Sequence, residues 1–129
     1  MTSQPEPTAV ALARAHVEAC HGNAYDRARA QLAAGVRAVI TSVDPDAPAA
    51  ETTGIEAYME VVEGFGQVLL PGTTRVGLAI GDETRALLQV SCRARFAPDA
   101  PETTLHGARL YRLDETGKLA EVQVIFYAS

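Results

Sequence analysis

Apolar residues near the start of the chain recur at Ala9, Leu12, Ala13, Val17 and Cys20, with His16 on the same stripe. This i, i+3, i+4 spacing predicts an amphipathic helix from Thr8, with Arg14 and Glu18 outside. Gly22 ends it. Asn23 is expected to cap a short second helix and Asp26 to return a bond as in a capping box, with Tyr25, Ala28 and Leu32 on the inner face. The β-branched run VRAVITSV (36–43) predicts a strand, and DPDAPAAETT (44–53) a surface loop. After Gly54, the positions Ile55, Tyr58, Met59, Val62, Phe65 and Leu69 form a second helical stripe. Glu56, Glu60, Glu63 and Gln67 lie opposite it, and Pro71 and Gly72 end the helix.

The period then changes from helical to alternating. Strands are predicted over 74–80, 85–96, 104–113 and 119–127, joined by the turns GDET and DETG and the loop APDAPE. Along 85–96, Ala86, Leu88, Val90, Cys92, Ala94 and Phe96 face one way. Arg85, Leu87, Gln89, Ser91, Arg93 and Arg95 face the other. The same alternation groups Leu105, Gly107, Arg109, Tyr111 and Leu113, and then Val122, Val124 and Phe126. Helices followed by a run of antiparallel strands argue for an α+β domain with helices on one face of a curved sheet.

A length of 129 residues is that of one domain, with 1–7 a flexible tail. The chain is 47% apolar and 21% charged, as globular domains are. Net charge is −5, Lys118 is the single lysine and the arginines are scattered, which argues against nucleic-acid binding. No apolar run is long enough for a membrane span. MTSQPEPT lacks the features of a signal peptide, which predicts a cytoplasmic protein with Cys20 and Cys92 as free, buried thiols.

The segments ACHGNAYDRARAQL, GIEAYMEVV and GKLAEVQVIFY, in this order, carry a resemblance. The chain resembles the nuclear transport factor 2-like superfamily, the cone-shaped fold of ketosteroid isomerase and the SnoaL-like polyketide cyclases, over about Thr8 to Tyr127. The resemblance implies a sheet wrapped around an apolar pocket, closed by three helices, and usually a homodimer. It also sets Ile40 where the isomerases keep a catalytic aspartate, Arg109 where they keep a protonated aspartic acid and His16 where they keep an oxyanion tyrosine. None of the three is retained, which argues against a steroid isomerase of that mechanism.

The pocket so implied contains His16, Arg109 and Tyr111 as candidate catalytic groups. Tyr58, Val62, Leu88, Val90, Cys92, Val122, Val124 and Phe126 would be its substrate-binding lining. His16 could move a proton, and Arg109 could hold a carboxylate, enolate or phenolate oxygen. A histidine on an apolar stripe is equally the mark of a hydrogen-bonded core residue, and the tyrosines of core aromatics with a polar tip. His21, at a helix end, and His106, on the outward strand face, lack metal-ligand partners. Asp44 and Asp46 lack the further oxygens of a calcium loop, so neither metal nor cofactor is expected. Two functions follow. One is a small-molecule enzyme of proton transfer, cyclisation or hydration on an apolar substrate with one carbonyl or anionic oxygen. The other is a non-catalytic binding or accessory protein. A homodimer is expected through the outward sheet face, where Leu87, Ile125 and Tyr127 lie among Gln89, Ser91, Arg93 and Gln123.

Overall fold

The computed structural model describes residues 5–41 and 46–127. The element order is α1 (Thr8–His21), α2 (Tyr25–Ala30), β1 (Leu32–Ile40), β2 (Ala50–Thr53), α3 (Ile55–Gly66), β3 (Arg75–Gly81), β4 (Arg85–Ala94), β5 (Thr103–Leu113) and β6 (Leu119–Tyr127). The strands form one curved, unclosed sheet in the order β2-β1-β6-β5-β4-β3. Its β3, β4, β5 and β6 are antiparallel neighbours, but β1 runs parallel to β6, so the sheet is mixed rather than wholly antiparallel. Helices α1 and α3 pack over it, α1 against β3, β4 and β5 and α3 against β1 and β2.

Periodicity accounts for the core. Ala9, Ala13, His16, Val17 and Cys20 of the α1 stripe are buried, as are Tyr58 and Met59 of α3. Strand β4 alternates strictly, burying Ala86, Leu88, Val90, Cys92 and Ala94; β5 buries Leu105, Gly107, Arg109, Tyr111 and Leu113. With one sheet face covered by helices, period-two patterning fixes which side chains are buried.

Several local expectations are corrected. Leu32 does not belong to α2; it opens β1 opposite Leu119, and a register shift separates it from Arg37. Asn23 does not cap α2. It holds a left-handed backbone at φ 61, Ala24 occupies the cap position without a side-chain bond, and Asn23 Oδ1 accepts from the Tyr25 hydroxyl at 2.7 Å. Asp26 instead lies 3.8 Å from Arg29. The proline-bearing loop ends in the short edge strand β2, whose Thr53 pairs with Arg37. Helix α3 stops at Gly66, and Leu69 bridges to Ala94. Phe96 lies beyond β4 and is exposed. Asp44 lies outside the described residues.

Candidate functional site

One row of residues runs across the middle of the sheet. Val124 of β6 pairs on one side with Ile40 of β1 and on the other with Arg109 of β5, which in turn pairs with Leu88 of β4. Ile40, Val124 and Arg109 all line a cavity of about 100 Å³ between sheet and helices. Cys20 and His21 line it from α1, Tyr58, Val62 and Phe65 from α3, and Phe126 from β6. Its surroundings are predominantly apolar, with Arg109 the one charged side chain among the described residues.

Arg109 is 8% exposed, yet among the described residues no carboxylate pairs with it. Its Nη2 donates to Nε2 of His21 at 3.2 Å. A guanidinium cannot accept, so Nε2 must be unprotonated and the His21 proton must sit on Nδ1, which donates to Thr74 Oγ1 at 2.6 Å. Burial, then the charges of Arg109 and His16, hold the His21 pKa down at about 3. His21 is therefore a neutral neighbour, not a counter-charge. Arg109 Nε is buried without an acceptor, one of two such side-chain atoms among the described residues; the other is Thr52 Oγ1. A buried charge and an orphaned N–H together leave the site short of an anionic acceptor.

His16 lies behind this cavity rather than in its lining. Its Nδ1–H donates to Gln31 Oε1 at 2.8 Å, and Nε2 accepts from the Tyr58 hydroxyl at 2.9 Å, with Cys20 Sγ 3.4 Å away. The His16 and Tyr58 rings stack at 5.7 Å, and Tyr111 meets His16 edge-on at 6.3 Å. Burial lowers the His16 pKa to about 4, against the Gln31 bond and with the Arg109 charge. Burial also raises the Tyr58 and Tyr111 hydroxyls and pushes the Cys20 thiol up to about 12. All these groups are neutral near pH 7.

Of the expected lining, Tyr58, Val62, Val124 and Phe126 reach the cavity together with Arg109. Leu88, Val90, Val122 and Tyr111 are buried in the main core, and Cys92 packs with Ala94 and Leu105 in a smaller cluster. His21 was not expected in the site. Its signal was helical spacing, four residues after Val17 on the flank of the buried stripe. Among the described residues no three His, Cys, Asp or Glu side chains converge as a metal site would need.

Helices closed over the concave face of a curved α+β sheet, with a cavity between the layers, define a cone-shaped fold. A model of the SnoaL-like domain matches residues 13–122, and the chain belongs to that family. An NTF2-like protein from Anabaena variabilis shares the fold at TM-score 0.76 and 10% identity, covering 100% of this chain and 96% of its own. RV0760c from Mycobacterium tuberculosis, solved in complex with estradiol-17beta-hemisuccinate, matches at TM-score 0.73 and 13% identity, over 92% of this chain and 93% of its own. SalBIII, an epoxide hydrolase/cyclase-like enzyme in pyran ring formation of the polyether salinomycin, matches at TM-score 0.72 and 10% identity, over 89% and 87%. A search of curated proteins returns no match.

Proposed function

We propose that this chain binds a small, largely apolar molecule with one carbonyl or anionic oxygen, and that Arg109 holds that oxygen. The observation that carries this reading is the buried guanidinium at the cavity wall, without a carboxylate partner among the described residues and with Nε unsatisfied. A ligand oxygen there makes charge-assisted hydrogen bonds in a low-dielectric setting. RV0760c, of the same fold, was solved with estradiol-17beta-hemisuccinate, which carries a carboxylate, on a body larger than this cavity holds. The test is calorimetric titration with a carboxylate and its matched amide, on wild type and Arg109→Met. Binding lost in the variant supports the reading; binding unchanged by the substitution overturns it.

Binding without turnover is the better-supported form of this reading. A general base works best with a pKa near the operating pH, whereas the two nearby histidines are held at about 4 and about 3. Both are weak bases, and among the described residues the cavity lining contains no carboxylate. The proton-transfer reading rests on His21 standing beside Arg109 at the same wall. It predicts solvent deuterium entering an enolisable ligand in the presence of wild type but not of His21→Asn.

The functional unit we assign is a homodimer joined through the outward sheet face, in a cell's cytoplasm, acting on a small molecule rather than on nucleic acid or membrane. Leu110, Ile125 and Tyr127 are exposed there. They lie on the same face as Arg37, Arg112 and Glu121, which form ion pairs at 2.6 and 3.1 Å. A hollow of about 690 Å³ on this face is lined by Leu110, Arg112, Glu121 and Gln123. An apolar centre with charges of both signs around it suits a self-complementary interface.

A further inference from the structure

Resting on the assignment of Arg109 as the ligand's anchor, we propose that the ligand is a compact monocarboxylate whose body is a short or branched aliphatic group, smaller than an aromatic ring. Charge and volume set the two halves of this class separately.

Among the described residues the site carries a single positive charge without an ion-pair partner. Of the groups around Arg109, His21 is kept neutral by accepting from Nη2, and His16 by accepting from Tyr58. The thiol of Cys20 and the hydroxyls of Tyr58 and Tyr111 stay protonated in the buried setting. One negative charge balances the site. A neutral carbonyl leaves the guanidinium uncompensated, and a dianion brings a second buried charge with no partner. The carboxylate also answers the orphaned Nε–H, which a planar two-oxygen anion can reach while Nη2 keeps its bond to His21.

The space is small. The cavity measures about 100 Å³, whereas pockets for drug-sized ligands measure about 300–1,000 Å³ and an apolar cavity of about 150 Å³ accommodates benzene. Val62, Phe65, Leu69 and Phe126 supply apolar walls, and the polar groups of the lining (Cys20, His21, Tyr58) are already neutral or hydrogen-bonded within the protein. A short or branched aliphatic acid fits this volume; an aromatic ring or a steroid skeleton exceeds it.

The experiment is calorimetric titration of the full chain with isobutyrate, benzoate, isobutyramide, methylmalonate and estradiol hemisuccinate. Isobutyrate should bind tightest, about 10- to 100-fold above the amide, and at least about 10-fold above the dianion. The preference over the amide should vanish in Arg109→Met, with thermal unfolding confirming that the variant is folded. Should benzoate or the steroid acid bind as tightly as isobutyrate through Arg109, the size limit falls while the anchoring role stands. Equal binding of the dianion, or of the amide, overturns the charge assignment. Binding of none of them by wild type overturns the anchor itself.

Discussion

Arg109 and His21, 88 residues apart in sequence, meet through one hydrogen bond from Nη2 to Nε2 at 3.2 Å. That bond fixes the tautomer of His21 but leaves the charge of Arg109 without compensation. Arg109→Met should therefore raise the stability of the ligand-free protein by about 1–3 kcal/mol, since an unpaired buried charge gives way to an apolar chain. The same substitution should erase stabilisation by added carboxylate. Urea unfolding with and without isobutyrate checks both; a destabilised variant would show that Arg109 holds the core rather than a ligand.

The bonds from His16 to Gln31 and Tyr58 predict a structural role for the histidine. Gln31→Leu strands a buried Nδ1–H, a loss of about 1–3 kcal/mol. His16→Phe leaves Gln31 and the Tyr58 hydroxyl unpartnered and should cost about as much or more. The double variant should be less destabilised than the sum, because the two share one bond. Strict additivity in urea midpoints would mean the residues act independently.

Acid sensitivity follows from the same histidines. Each is near 6.5 when unfolded, but in the fold His16 is held at about 4 and His21 at about 3. Between those values the unfolded chain binds protons that the folded chain refuses, so stability is full above pH 6.5 and falls as pH is lowered. The slope is up to about 1.4 kcal/mol per pH unit for each histidine. Glu121, lowered to about 2 by Arg112 and Arg37, adds to the loss in more acid solution, weakened by its exposure. Urea midpoints at pH 7, 6 and 5 should fall progressively, and less steeply in His16→Phe; a flat profile would exclude buried neutral histidines.

What the sequence disclosed was whatever repeats locally. The β4 alternation and the α1 stripe named their buried residues because one covered face imposes a period. The β1–β6 pairing was hidden, since nothing near Ile40 encodes a parallel partner at Val124. His21 was missed for a related reason. Its burial depends on Thr74 and Arg109, both distant in sequence, while its own neighbourhood, CHGN, reads only as a helix ending. Arg109 was found by alternation, but its lack of a counter-ion is a property of the assembled layers.

If the outward face joins two copies, Leu110→Glu should dissociate them, because Leu110 lines the hollow and is exposed in the single chain. Light scattering at micromolar concentration should report about twice 13.7 kDa for wild type and the single mass for the variant. A wild-type monomer would remove the interface.

Cys20 and Cys92 are free and buried. Ellman's reagent should react with neither in the native protein and with both after denaturation without reductant. Prompt native reaction would mean that the cavity admits the reagent to Cys20.

Strand β6 sits inside the sheet, between β1 and β5, although it is the last of the six strands in chain order. Until Leu119–Tyr127 inserts, β1 with β2 and β5 with β4 and β3 are two half-sheets sharing no strand. Val124, the link between Ile40 and Arg109, is then missing from the cavity floor. A nascent chain at that point holds Arg109 without its β6 neighbour, and closing the gap requires contacts across most of the chain. The cavity thus comes into being in one late step, and ribosome-stalled chains ending before Leu119 should be protease-sensitive and indifferent to carboxylate.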